Sequence, residues 1–445
     1  MRDSLIERIA RLAPWWVLAQ VACWPWRAVA EALLSLGALL GFALLLATRF
    51  RGGIRVMGHE AWALTTILFL GYWLPQLFSV PLAIDPLHSA TETLKDLRYL
   101  PFLWLAAMAV ATAHGRRVVG RGLGLLVGLW TVDALLQALF GHSLGGPAVA
   151  DRLSGIFGAG NLKLGLVLAS LSPFLLLPAA RRGPLPWALA ATAIGVVVLL
   201  AGARAAWLSY GLVLAYTAWQ AWGLRRAALG LAAGGLLAFG LASAFSDFLG
   251  PRLERTLAVL EGDGAGLDFA LSGRVVLWTT TLRIIAEHPL TGVGTDNFRA
   301  AYRDHSEADD PFVGHGHEGA FHAHQIVLEV LAETGVLGLL FWLAAVAVAL
   351  RAWRFAAPAA RQRAGPAALA LAVTVFPLNT HLAFYSTFWG GLTLLLAALY
   401  AGSLLARDGL PEAAAPAGEP PRDGQPGATS SDHQPALPGS IGRAR

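Results

Sequence analysis

The sequence predicts an all-α polytopic integral membrane protein with about 12 transmembrane helices and one large outer loop, because apolar runs near the ~20-residue membrane-crossing length recur along it. Composition agrees. Of 445 residues, 56% are hydrophobic and 14% are charged, whereas soluble domains carry roughly 25% charged residues. The third observation is where the arginines fall, described below.

The apolar runs cover 12–26, 29–48, 61–82, 98–114, 120–141, 161–180, 185–202, 205–223, 227–246, 326–350, 366–384 and 387–406. In lipid these must be helices, since unpaired backbone groups are too costly there. The first is short and interrupted by Pro25. Arg2, Arg8 and Arg11 precede it, as they would a retained anchor rather than a cleaved signal. Counted from a cytoplasmic N-terminus, every inner loop is basic: Arg49, Arg51 and Arg55; Arg116, Arg117 and Arg121; Arg181 and Arg182; Arg225 and Arg226; Arg351, Arg354, Arg361 and Arg363. Cytoplasmic loops are enriched in this way. The resulting organisation is helices 1 to 9 over 1–248, a large outer loop over 249–323, helices 10 to 12 over 324–406, and a tail over 407–445. The tail is rich in Pro, Gly, Ala and Ser and too polar to build a core. The outer face is the periplasm if the membrane is a Gram-negative inner membrane.

The pI near 9.7 is thereby explained by topology, and nucleic acid is not an expected partner. The single cysteine, Cys23, excludes an internal disulfide and a cysteine metal site.

Basic residues on the outer side run against the topology rule, so they carry information. They include Lys95, Arg98, Arg152, Lys163, Arg204 and Arg274, with Arg252, Arg255, Arg283, Arg299 and Arg303 in the large loop, and Arg27 if the first span holds. Surface pairing with acids accounts for many such residues. Arg204 differs. The turn Ala201-Gly202-Ala203-Arg204 joins two apolar runs almost without linker, which holds a guanidinium at the headgroup boundary, where ionised groups are usually paired or functional. Within spans, Asp133 and Glu333 are expected to make interhelical hydrogen bonds, and Asn379 and His381 to line a cavity. Gly37 and Gly41 are expected to let helices approach closely. Asp85 to Asp96 reads as a short surface helix.

Familiar chemistries are missing. No G-x-x-x-x-G-K-[ST] loop binds a nucleotide, no Asp-x-Asp holds a metal-bound sugar nucleotide, and no serine elbow is present. The histidines His315, His317, His322 and His324 have the ligand type for zinc, but their spacing matches no standard site, so no metal is assigned. His324 stands apart, because it directly precedes an apolar helix at the outer boundary. A neutral imidazole there can take a proton from a hydroxyl, and a helix N-terminus favours the neutral form.

His324-x-x-x-Leu328 followed by Glu333-x-Gly335-x-x-Gly338 resembles the signature of the bacterial O-antigen ligase and polymerase superfamily. Ser272-Gly273-Arg274 with Trp278, then Pro289-Leu290-Thr291-Gly292-Val293-Gly294, is similar to that family's large periplasmic loop. Gly202-Ala203-Arg204-Ala205-Ala206-Trp207 resembles its Ser-Arg-Gly-Ala-Trp turn, with Ala203 and Ala205 substituted. Arg152-Leu153-Ser154-Gly155-Ile156-Phe157, with Asn161, resembles a recurring outer-loop motif. One departure is Gln325, where the family usually has Asn or Ser.

The resemblance implies an O-antigen ligase, a metal-independent, inverting glycosyltransferase of lipopolysaccharide biosynthesis. It implies undecaprenyl-diphosphate-linked O-antigen as donor and lipid A–core as acceptor, at the periplasmic face of a bacterial inner membrane, with no cofactor. His324 would activate or orient the acceptor, and Arg204 and Arg274 would hold the diphosphate. Lys95, Arg98, Arg152, Trp278 and His322 are further substrate-binding candidates. An O-antigen polymerase or a protein O-oligosaccharyltransferase shares the donor and the chemistry. A lipid or polysaccharide transporter is the alternative of another class. It would need a midplane site, and no internal repeat is detected.

Overall fold

A computed structural model describes residues 2–49, 57–148, 152–243, 273–308, 310–314, 317–380 and 382–406. Ser272, His315, His381, Arg252, Arg255 and the tail 407–445 lie outside these residues, as does the side chain of His317. The helices are α1 Arg2–Ala22, α2 Arg27–Arg49, α3 His59–Ser79, α4 Pro86–Asp96, α5 Tyr99–Ala109, α6 Ala113–Phe140, α7 Lys163–Leu171 and α8 Pro173–Arg182, then α9 Pro184–Ala201, α10 Arg204–Trp222 and α11 Leu224–Ser243. After them come α12 Arg274–Glu287, α13 Phe298–His305, α14 Ile326–Phe355, α15 Pro358–Thr374 and α16 Thr387–Leu404. Two two-residue antiparallel ribbons, His142–Ser143 with Gly146–Pro147 and Val313–Gly314 with His317–Glu318, are the strands among the described residues.

The chain is an all-α membrane protein. Among the described residues, six helices are long and apolar enough to cross a membrane, or seven if α7 and α8, bent by 44°, form one span. The run 98–114 does not form one helix. It yields the 11-residue α5, about 16 Å long at 1.5 Å per residue and short of a ~30 Å hydrocarbon core. The break comes where the Thr112 side chain accepts from Gly115 N–H and starts α6, a local bond that competes with helix continuation. The run 161–180 breaks at Ser172-Pro173 because proline cannot donate back into the preceding turn. The run 366–384 is helical only to Thr374, and its helix begins earlier, at Pro358.

Close helix contacts explain the small residues. A Cβ on Gly41 would lie 2.1 Å from the Pro101 carbonyl oxygen, and one on Gly37 2.5 Å from the Trp16 indole nitrogen. The packing role expected for this glycine pair is what α2, α5 and α1 display.

The bundle has two chemically distinct ends. At one end lie the start of α6, the end of α8 and the end of α16. Arg116, Arg117, Arg121, Arg181, Arg182 and Arg363 gather there around a cavity of about 830 Å³, and Arg363 donates to the carbonyls of Ser403, Leu404 and Ala406. The other end holds the starts of α10, α12 and α14 and the segment after α15. The Trp207 indole N–H donates to the Val198 carbonyl at 3.0 Å, tying α10 to α9 across the Gly202 turn. Leu153 N–H donates to the Leu200 carbonyl at 3.3 Å, which brings the Arg152 segment beside the same turn. The Gln137 side chain accepts from Ser154 and Gly155 N–H and holds the remainder of that motif.

Asp133 and Glu333 do not bond between helices. Asp133 accepts from Leu144 N–H at 2.8 Å, and Glu333 from Asp296 N–H at 3.1 Å. Each uses its carboxylate to hold a loop, whose free N–H groups are better donors than a helix whose backbone is already paired.

Candidate active site

The geometry at this end starts from a break in α14. Gly335 has φ 68° and ψ −166°, a combination essentially confined to glycine. A break inside a long apolar helix orphans carbonyls before it and N–H groups after it. The loop Pro289–Gly294 supplies the partners. Val293 N–H donates to Ala332 O at 2.9 Å and Gly294 N–H to Glu333 O at 3.0 Å, while Val336 N–H donates to Pro289 O at 2.9 Å and Leu337 N–H to Leu290 O at 3.2 Å. The two glycine motifs thus form one unit. A Cβ on Gly335 would lie 2.3 Å from Leu290 C and O, and one on Gly292 2.3 Å from Glu333 C.

At its N-terminal end, α14 is started by Gln325, whose side chain accepts from Leu328 N–H at 2.6 Å. Its amide also donates to the Pro377 carbonyl at 3.2 Å. Asn and Ser cap helices in the same way, so Gln325 keeps the local function of the residue it replaces in the resemblance. His324, just before the cap, has φ 52°. Left-handed backbone in a non-glycine residue is uncommon, and it marks a position held by its surroundings.

Those surroundings are specific. His324 Nδ1 lies 3.2 Å from the Thr380 carbonyl oxygen. A carbonyl only accepts, so Nδ1 carries the proton, and in the neutral ring Nε2 is left with its lone pair. Arg274, the first residue of α12, donates from Nη2 to the same carbonyl at 3.3 Å. Burial first, and then the charge of the neighbouring Arg204, push the Arg274 guanidinium down to about 10, which leaves it cationic at neutral pH. The structure therefore brings His324, Arg274 and Arg204 together from three helix starts. Two guanidiniums share this partly buried site, where an anionic ligand would offset their mutual repulsion.

The other candidates divide. Trp278 donates its indole N–H to the Ala323 carbonyl at 3.1 Å, bracing the backbone next to His324. The His322 ring lies 3.9 Å from that of His324, centroid to centroid. Its Nδ1 accepts from His324 N–H at 3.3 Å, while Glu329 stands 3.8 Å away, too far for a hydrogen bond. Lys95 and Arg98 line a separate cavity of about 690 Å³, with Arg27, Glu31, Asp96 and Lys163. Lys95 pairs with Glu92 at 2.5 Å and Arg98 with Glu31 at 3.5 Å. Asp96 accepts from the Tyr72 hydroxyl and the Gln76 amide, and burial pushes its carboxyl up to about 6. This cavity adjoins the histidine–arginine cluster through one segment, since Ala383, Tyr385 and Thr387 line it a few residues after Thr380. Arg283, Arg299 and Arg303 are paired with Glu307, Glu318 and Asp304, the surface role that exposed arginines usually have.

Thr380, Glu31 and Asp96 carry no motif in the sequence. Thr380 acts through its main chain, and Glu31 meets Arg98 only through helix packing.

A comparison with curated proteins finds no match. A match is found with a protein-family model described as O-antigen ligase, over residues 188–343. That stretch contains Arg204, Arg274, His324 and both glycine motifs, whereas Lys95, Arg98 and Arg152 precede it. Residues 188–343, which carry the three converging side chains and the loop inserted in the helix break, thus form a domain of the O-antigen ligase family.

Proposed function

We propose that the chain is an O-antigen ligase that moves O-antigen polysaccharide from undecaprenyl diphosphate to lipid A–core. The observation that carries the reading is the convergence of His324 and Arg274 on the Thr380 carbonyl, with Arg204 beside them. The acceptor hydroxyl is placed near His324 Nε2. Its oxygen attacks the anomeric carbon of the donor, and its proton passes to Nε2. The bond from the anomeric carbon to the diphosphate oxygen breaks, and Arg204 and Arg274 hold the departing anion by charge-assisted hydrogen bonds. A single displacement inverts the anomeric centre. The arginines supply the positive charge, so the transfer step needs no metal and no cofactor. Lys95, Arg98 and Arg152 would extend the basic surface along the donor. Trp278 and His322 would hold the His324 segment against the acceptor.

In this reading the protein crosses a bacterial inner membrane about 12 times, by the apolar runs near membrane length. Residues 1–248 and 324–406 form the membrane region, 249–323 the periplasmic loop and 407–445 a cytoplasmic tail. The arginine-rich end, opposite the histidine–arginine cluster, supports a cytoplasmic face there and a periplasmic site.

The lipopolysaccharide gel profile of a deletion strain tests the function. Loss of the long-chain ladder with accumulation of lipid-linked O-antigen is the expected result. Core carrying a single repeat would identify a polymerase instead, and an unchanged ladder would exclude both.

A further inference from the structure

We propose that Glu287, His288 and His305 form a divalent transition-metal site of the zinc class, structural in role and separate from the transfer chemistry. Each offers a ligand atom, and these atoms lie within 4.8 Å of one another. Glu287 Oε2 and His305 Nε2 are 3.1 Å apart. Two ligands bound to zinc at ~2.0–2.1 Å with a tetrahedral angle stand about 3.3 Å apart, so this pair is already at coordination spacing. His288 offers the third ligand atom, within 4.8 Å of the other two.

Hydrogen bonding fixes which nitrogen of His305 is available. Its Nδ1 lies 2.7 Å from the Ala301 carbonyl oxygen, so Nδ1 carries a proton and the neutral ring directs the Nε2 lone pair at a carboxylate. Two electron-rich atoms at that separation need a cation between them, either a second ring proton or a metal ion. An imidazole held through its other nitrogen by a carbonyl is how proteins orient a ligating histidine. Imidazole and carboxylate together suit zinc and its first-row neighbours.

The backbone adds a second, independent attraction. Glu287 ends α12, His288 is its C-cap, and His305 ends α13. Two helix C-termini therefore meet at the cluster, each presenting carbonyls with partial negative charge that favour a cation. The nearby cation Arg283 donates to the His305 carbonyl, but its charge is offset by the ion pair with Glu307. The His305 side chain is 12% exposed and that of Glu287 66%, which leaves an open side for water as a fourth ligand.

The position suggests what the ion does. His288 directly precedes Pro289, whose carbonyl accepts from Val336 at the break in α14. A metal here would tie α12, α13 and the beginning of the inserted loop, and so brace the loop that repairs the break. It would not touch the reacting groups.

The test uses the full-length protein, purified in detergent with a histidine-free affinity tag and stripped of metal. It is titrated with Zn²⁺ and, as a visible probe, Co²⁺. The chain has 12 histidines, so the comparison with variants decides. Wild type is expected to bind one Zn²⁺ tightly, to show the absorption band of four-coordinate Co²⁺, and to unfold at a higher temperature when loaded. His305→Ala and the exposed Glu287→Gln are each expected to weaken Zn²⁺ at least ~10-fold, the scale reached by changing even an outer partner of a ligand. Glu287→Gln serves as the second variant should His305→Ala not fold. Equal Zn²⁺ binding by wild type and Glu287→Gln, or no stoichiometric ion in wild type, would overturn the proposal. The titration uses no donor lipid, so its outcome is independent of the transfer reaction.

Discussion

His324 and Arg274 donate to one acceptor, the Thr380 carbonyl, at 3.2 Å and 3.3 Å. This shared bond fixes two things together. It directs the Nδ1 proton of the imidazole at the carbonyl, which sets the tautomer, and it anchors a guanidinium beside it. The acceptor lies in the segment after α15, so the site depends on how that segment meets the starts of α12 and α14.

The break at Gly335 is bonded to the loop Pro289–Gly294 and leaves no room for a side chain. Gly335→Ala is expected to force a side chain into the Leu290 backbone and a backbone conformation that alanine does not adopt. Strained backbone of this kind costs about 1–3 kcal/mol before any clash is counted. Lowered thermal stability and lost ligation should appear together, and Gly292→Ala should behave alike. Wild-type stability of both variants would show that the loop does not insert as described.

Gln325→Ala should lose the cap of α14 and the bond to Pro377. Removing an N-cap side chain costs about 1 kcal/mol, so a thermal shift of that scale is expected, with reduced turnover as His324 loosens. Gln325→Asn keeps a capping side chain and should retain more of both. Indistinguishable Ala and Asn variants would show that the cap does not hold His324.

The membrane class, the Arg204 turn and the packing role of Gly37 and Gly41 are legible in the sequence, for reasons that are local. Apolar length dictates helix, and a two-residue linker leaves Arg204 at a helix start whatever else packs around it. The convergence on Thr380 was not legible. A main-chain carbonyl has no residue signature, and 56 residues separate it from His324. Over 98–114 and 161–180 hydropathy shows apolar length but not the breaks, because it does not register that Thr112 caps and Pro173 interrupts. The family resemblance pointed to Glu333 and Gly335 as a motif. Their physical task, a helix break filled by another loop, emerges only once Pro289–Gly294 is seen bonded to it.

Topology follows from the two unlike ends of the bundle. Reporter fusions at Glu307 should read periplasmic, and fusions at Val118 and Pro358 cytoplasmic. A cytoplasmic signal at Glu307 would place the histidine–arginine cluster on the wrong face for a periplasmic ligation.

The transfer step itself should tolerate chelation. Purified protein in excess EDTA is expected to keep its turnover rate, even where loss of a structural ion lowers its unfolding temperature. Turnover abolished by EDTA and restored by zinc or magnesium would assign a metal to the chemistry.

The division of labour among the three converging residues is tested most directly by measuring donor-lipid binding and turnover on the same folded, purified variants. Arg204→Lys and Arg274→Lys keep charge but lose the planar fork, and should lose turnover; their Ala variants should also lose donor binding. His324→Ala should bind donor like wild type while turnover falls by at least ~10²-fold, the usual scale for a lost general base. Turnover at the wild-type rate in His324→Ala, or loss of donor binding in step with the arginine variants, would contradict the assignment of the acceptor base to His324.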